Sequence, residues 1–234
     1  MNTREYNALD CWFPVLEKNN IPVPKTIIVK ANCELIDILD GSIPNGYARF
    51  IKNLHIACDK IGCPCFLRTA HTSAKHYWKD TCFISNYRNL PEHVFNIVEF
   101  SECADLFGLN YDTWCVRKLL PVKPLFTAFH GEMPIVREFR GFWVNKKILC
   151  VHPYWPVETI QKPSVKNWEE LLLESHKTTP VEYNEICKLI TNVGKLFEGN
   201  WSIDLLDTED GWYVTDMATA ETSYHWEGCE KELK

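Results

Sequence analysis

Trp201-Ser-Ile-Asp204-Leu-Leu-Asp207-Thr-Glu-Asp210-Gly211-Trp-Tyr-Val-Thr-Asp216-Met-Ala-Thr-Ala-Glu221 is two apolar runs joined by a turn. Apolar residues flank Asp204, Asp210-Gly211 gives the turn signal, and Trp212, Tyr213 and Val214 begin a second run, which predicts a β-hairpin. Its strands bring Asp204 and Asp216 close together at neighbouring ends. Two carboxylates on adjacent strands can hold Mg²⁺, a hard cation that takes oxygen ligands and usually also binds substrate phosphates. The bland reading is a hairpin with two solvated acids. The first reading requires phosphate-binding groups elsewhere in the chain.

The 234 residues are 46% hydrophobic and 24% charged, enough for one large or two small domains with a substantial core. A net charge of -6 and a pI of about 5.8 provide no sequence-wide basic field, which argues against a nucleic-acid partner, although a local basic groove stays open. No apolar run approaches the roughly 20 residues of a membrane span, and Met1-Asn-Thr-Arg-Glu-Tyr6 lacks a secretory pattern. The expectation is a soluble, cytoplasmic protein with no membrane partner. The eleven cysteines are scattered through apolar segments, and an odd number without a signal peptide argues for thiols rather than a disulfide framework. Cys63-Pro64-Cys65 has neither a second pair nor a nearby His at zinc-finger spacing.

In chain order, Asn7 to Asn19 carries Leu9, Trp12, Phe13 and Leu16 at helical spacing, with Pro14 in the first turn or at a kink. Ile27 to Lys30 is a β-branched strand entered through prolines. Cys33 to Leu39 and Tyr47 to Lys60 are expected helices. Pro91 to Phe107 is another, closed by Gly108, and Trp168 to His176 and Glu182 to Glu198 follow with Gly199 as a stop. Strands are expected at Asp112 to Pro121, Ile135 to Val144 and Ile148 to His152. In the second of these Glu138 and Arg140 share a face. They are either solvated charges or a charged floor for a ligand. The order is α+β with a mostly antiparallel sheet.

From Pro64 to Phe83 a short buried strand delivers Arg68, and a polar loop with Thr72, Ser73, Lys75 and Lys79 follows before an apolar strand. Hydroxyls, backbone amides and ammoniums on such a loop suit a polyphosphate. A surface loop with solvated lysines and an Arg packed on Trp78 fits the same residues.

Taken together, Phe66-Leu67-Arg68-Thr69, Thr72-Ser73-Ala74-Lys75-His76-Tyr77-Trp78-Lys79, Val116-Arg117-Lys118, Glu138-Phe139-Arg140, and Asp204 with Asp216 resemble the ATP-grasp superfamily. Within it the resemblance is to the branch of cell division cycle protein 123 and the phage and bacterial clade named for two arginines and a lysine. It runs from Ile21 to Asp216. It implies the ATP-grasp fold, two α+β subdomains clamping a nucleotide, here 1-112 with the phosphate-covering loop and 113-234 with the metal-binding hairpin. The cofactors implied are ATP and Mg²⁺.

By the same resemblance Arg68 reaches the phosphates, Lys75 and Lys79 lie on the flexible covering loop, and Arg117, Lys118 and Leu119 belong to the strand whose backbone holds adenine. Glu138 and Arg140 match the catalytic pair facing the phosphates or second substrate. Asp204 and Asp216 match metal ligands. The family pattern of acid, one residue, then Asn is broken here, because Asp216-Met217 is followed by Ala218, which cannot ligate metal. Either Glu221 or Thr219 substitutes, or one metal is held more weakly. The activity implied is ATP-dependent ligation of a carboxylate to an amine through an acyl phosphate. The alternative is an ATP-binding assembly factor for a protein partner with little chemistry, to whose surface aromatics such as Trp155, Tyr224 and Trp226 could belong, core packing being the favoured reading for any single one. A third reading is a structural domain without ATP.

Overall fold

The computed structural model describes residues 6–104 and 109–226. In chain order the regular elements are α1 (Leu9–Lys18), β1 (Thr26–Lys30), α2 (Tyr47–Ile61), β2 (Cys65–Thr69), β3 (Phe83–Ile84), α3 (Leu90–Cys103), β4 (Thr113–Lys118), β5 (Phe126–Ala128), β6 (Met133–Ile135), β7 (Glu138–Val144), β8 (Lys147–Pro153), α4 (Trp168–Ser175), α5 (Pro180–Gly194), β9 (Trp201–Thr208) and β10 (Gly211–Thr219). They form two compact units. One spans Pro24–Leu120 with Phe129–Met133; the other takes the segment up to Val23, Pro121–Ala128 and the chain from Pro134 onward. Sequence alone suggests a boundary between residues 112 and 113; in the structure β4 lies wholly in the first unit and the chain leaves that unit after Leu120.

The Pro24–Leu120 unit is built on a sheet of order β1-β4-β2-β3, with antiparallel pairing throughout. Alternation divides its residues. Leu67, Val116 and Trp114 turn to a core shared with Phe50 and Leu54 of α2 and with Val94 and Ile97 of α3. Phe66, Arg68, Cys115 and Arg117 turn the other way.

The other unit holds an antiparallel sheet of order β10-β9-β7-β8. Helix α5 covers one face, and two glycines set how closely. A Cβ on Gly141 would stand 2.1 Å from Ile190 Cδ1, and one on Gly194 would stand 2.3 Å from Trp143 Cδ2. Helix α5 starts with a capping box: Thr179 Oγ1 accepts from the Glu182 N–H, and the Glu182 carboxylate accepts from the Thr179 N–H. Helix α1 packs against β10, continues through Pro14 in its interior, and forfeits one backbone hydrogen bond there.

Several expectations change in detail. Cys33 to Leu39 is a 3-10 helix, Leu35–Asp40, ended by Gly41 at φ 80°. Ile135 to Val144 is two strands broken at Val136-Arg137. There Arg137 leaves the ladder to bond Glu182 and Asp207 at 2.9 and 3.0 Å. Helix α5 stops at Gly194, short of Gly199. Helix α3 ends at Cys103, and Gly108 lies outside the described residues.

Candidate functional site

The candidate phosphate- and adenine-binding residues of the Pro24–Leu120 unit come from β2, β4 and its exit, and the turn after β2. Arg68 and Arg117 lie on the same sheet face, since Phe66 pairs with Arg117 and alternation returns Arg68 to that side. Both are buried, at 5% and 4% exposure. Arg68 Nε donates to its neighbour's carbonyl at Thr69, 3.0 Å, and Arg117 Nε donates to Thr26 Oγ1, 3.2 Å. Lys118 falls on the opposite side, paired with Cys65, and is exposed. Leu119 lies just past the end of β4, in the stretch by which the chain leaves the unit.

The loop carrying Lys75 and Lys79 is tied down rather than open. Thr69 Oγ1 accepts from the N–H groups of His71 and Thr72 at 3.2 and 2.9 Å. Thr81 Oγ1 donates to the carbonyls of Ala74 and Tyr77 at 3.0 and 2.9 Å. Lys75 opens a 3-10 turn, Lys75–Tyr77, and stays half-exposed. The Phe129–Met133 segment braces this turn: Phe129 stacks on His76 at 4.0 Å, the Gly131 N–H donates to the His76 carbonyl at 3.1 Å, and Lys79 Nζ pairs with Glu132 Oε2 at 2.6 Å. Burial and the Lys75 charge both lower the basicity of His76. In the structure this loop is a folded turn, and Lys79 has a carboxylate partner.

In the other unit, charged and polar candidates form a single transverse row across the sheet. His152 on β8 pairs with Arg140 on β7, Arg140 with Asp204 on β9, and Asp204 with Asp216 on β10. Cross-strand partners share a face, so all four lie on the side opposite α5. Two bulges create the row. Val214 pairs with Leu205 but Asp216 with Asp204, so Thr215 is the extra residue, and without it Asp216 would oppose Ile203 and point toward α5. Likewise Phe142 pairs with Cys150 and Trp143 with Ile148, so Leu149 is extra and His152, not Val151, reaches Arg140.

Arg140 and Asp204 form a forked ion pair, Nε–Oδ1 2.6 Å and Nη2–Oδ2 2.8 Å. Burial alone would lower the Arg140 pKa, but the adjacent Asp204 carboxylate, with Tyr154 and Asp216, raises it well above its usual value. The Tyr154 ring packs on the guanidinium at 4.7 Å. Glu138 lies two residues before Arg140 on the same side of β7, opposite Leu206. Asp216 is half-buried, and its Oδ1 accepts from the Met217 N–H at 3.1 Å.

Ala218 pairs with Ser202 and adds no ligand. Its two possible substitutes are engaged elsewhere: Thr219 Oγ1 with Thr222 at 3.0 Å, and Glu221 Oε1 as acceptor from Asn200 Nδ2 at 3.0 Å. Among the described residues no group of three or more His, Cys, Asp or Glu is arranged to hold a metal ion. Two carboxylates nevertheless suit Mg²⁺, which usually binds through one or two carboxylates and substrate phosphates while keeping waters.

Sequence reasoning passed over His152 and Tyr154, because the bulge at Leu149 that aligns them with Arg140 leaves no mark in the residue pattern. Of the three aromatics weighed between a partner surface and core packing, Trp155 is buried, Tyr224 is 56% exposed and Trp226 is half-buried.

No family model and no curated protein matches the chain in sequence. Solved structures do match in three dimensions. C-terminally truncated Cdc123 from Schizosaccharomyces pombe superposes with a TM-score of 0.61 at 13% identity, over 99% of this chain and 91% of that one. A RimK domain ATP-grasp protein from Sphaerobacter thermophilus matches with a TM-score of 0.54 at 12% identity, over 98% of this chain and 64% of its own. D-alanine–D-alanine ligase from Bacillus anthracis, solved with ATP, matches with a TM-score of 0.52 at 10% identity, over 93% of this chain and 55% of its own. The chain therefore spans about two thirds or less of the latter two proteins. These likenesses, together with two antiparallel α+β units, identify the architecture: this chain has the ATP-grasp fold.

Proposed function

We propose that the protein binds Mg·ATP and uses it to join a carboxylate to an amine through an acyl phosphate. The observation that carries this reading is the row Arg140–Asp204–Asp216, a guanidinium fork and two carboxylates on one sheet face. Asp204 and Asp216 would hold Mg²⁺, which when bound neutralises charge on the phosphates. Arg68 and Lys75 would bind phosphate oxygens, and the backbone from Arg117 to Leu119 the adenine. A substrate carboxylate oxygen attacks the γ-phosphorus, the bond from that phosphorus to the β-γ bridging oxygen breaks, and ADP leaves. The amine nitrogen then attacks the acyl carbon, the C–O bond to phosphate breaks, and the amine gives its proton to solvent. Arg140 orients the transferring group by charge, with Glu138 beside it on β7.

A second reading is an ATP-binding assembly factor with little turnover. The observation favouring it is the superposition: truncated Cdc123 matches with a TM-score of 0.61, against 0.52 for D-alanine–D-alanine ligase. The absence of an Asn at Ala218 points the same way.

Thermal denaturation with Mg·ATP tests the shared premise, since a ligand that binds only the folded state raises the melting temperature. A rise is expected, and no shift at millimolar Mg·ATP overturns both readings. Phosphate release across a panel of amino acids and polyamines separates them. Amine-stimulated release supports ligation, and nucleotide binding with no release under any pairing supports the assembly factor.

A further inference from the structure

The segment after β10 runs over the His152 end of the row. Ser223 and Ser202 share a hydroxyl hydrogen bond of 2.5 Å, and Arg140 Nη1 donates to the Tyr224 carbonyl at 3.3 Å. His225 Nε2 lies 2.8 Å from Cys150 Sγ. The Trp226 indole stacks on His152 with centroids 5.3 Å apart and meets His176 edge-on at 5.7 Å. Ala220 and Trp226 pack on the buried pair Phe142 and Cys150.

This cover is imperfectly matched to what it covers. His152 Nε2, His176 Nε2 and Trp226 Nε1 are buried with no hydrogen-bond partner among the described residues, a condition that folded proteins largely avoid. The His152 tautomer follows from its other nitrogen. Nδ1 lies 2.7 Å from the Pro153 carbonyl, which can only accept, so Nδ1 carries the hydrogen and Nε2 of the neutral ring is a bare lone pair. A proton added there meets no acceptor among the described residues and places a second positive charge beside Arg140. The groups facing His152 are Arg140 from β7 and His225 from the covering segment, with the neutral rings of Phe142 and Trp226. Among the described residues no carboxylate is in this set, because Asp204 is turned to Arg140.

We propose that Ser223–Trp226 is a proton-released strap: it docks over Arg140 and the Phe142–Cys150 patch while His152 is neutral, and lifts when His152 takes a proton. Lifting frees Arg140 Nη1 and uncovers the aromatic face beside it. Burial first, then the charges of Arg140 and His225, hold the docked His152 down to about 4, against 6.5 for an exposed imidazole. A depressed imidazole favours the docked state fully above pH 6.5, and that preference is lost as pH falls from 6.5 toward 4. The docking equilibrium therefore weakens as pH falls through that window. The inference stands independently of the nucleotide reading.

The test uses the full chain labelled with 5-fluorotryptophan, followed by fluorine NMR from pH 8 to pH 5. Trp226→Phe identifies the Trp226 resonance among the nine tryptophans. The expected result is movement of that resonance alone toward the solvent-exposed position as pH falls through 6, with the movement abolished in His152→Gln. Ser223→Ala, which loosens the strap and keeps the titrating ring, should shift the transition to higher pH, and it serves as the test if His152→Gln does not fold. A Trp226 resonance that stays fixed down to pH 5, or that moves only when all nine move together, overturns the proposal.

Discussion

Arg140 and Asp204 grip each other across β7 and β9 through two hydrogen bonds, 2.6 Å at Nε and 2.8 Å at Nη2, and Asp216 is the next residue along the same row. A candidate metal ligand thus already serves as counter-ion to the candidate catalytic arginine. The two roles are compatible, because a carboxylate that accepts a guanidinium fork retains lone pairs for a cation.

The pairing changes what substitution should do. Asp204→Asn keeps an acceptor but strands a largely buried guanidinium, with side-chain exposures of only 15% for Arg140 and 10% for Asp204. Breaking such a pair from one side should cost about 3 kcal/mol. Asp216→Asn leaves the fork intact and should cost less than about 1 kcal/mol. Both should weaken Mg·ATP binding. Urea denaturation gives the first comparison and calorimetry with Mg·ATP the second; equal stability of the two variants would show that the fork contributes nothing to the fold.

Much of this architecture is legible in the residues and some of it is not. The β9–β10 hairpin could be read from apolar runs around Asp210-Gly211, and helices α2 and α5 from their periodicity, because one buried face fixes a repeating pattern. The closeness of Asp204 and Asp216 was anticipated, yet the reason was hidden: an unbulged hairpin with this turn would put them on opposite faces. A bulge shifts register by one residue and leaves the composition of both strands unchanged. The same blindness applies to His152. Lys118 shows the converse: its charge invites a role beside Arg117, but adjacent strand residues point to opposite faces, which sends it away from Arg68.

Gly131 should govern the Lys75 turn. A Cβ there would lie 2.1 Å from the Trp78 backbone nitrogen and 2.4 Å from the Tyr77 carbonyl carbon, and backbone atoms cannot swing aside as a side chain can. Gly131→Ala should therefore displace the turn from the Phe129–Met133 brace at a cost of about 1 to 3 kcal/mol. Hydrogen exchange should quicken at the amides of Tyr77, Asp80 and Thr81, which bond within the turn, while amides of the β7–β9 ladder keep their protection. Uniform quickening across both would mean that the turn is not a separable unit.

Arg68 separates positioning from packing. Its side chain is buried, and its Nε donates to the Thr69 carbonyl. A planar fork can bind two phosphate oxygens at once, whereas Lys supplies a point charge that cannot reproduce the Nε bond and the phosphate contact together. Arg68→Lys should keep part of the ATP affinity and lose orientation, weakening binding about 10-fold, and Arg68→Ala should weaken it 100-fold or more, at most about 3 kcal/mol. Lys75 is half-exposed on its turn, so Lys75→Ala should depress turnover more than affinity if that turn tightens on the phosphates during reaction. Calorimetry with Mg·ATP reads the affinities directly. Normal binding by Arg68→Ala would make Arg68 a packing residue and would move the search for the phosphate site to Arg117, on the same sheet face, and to Arg140.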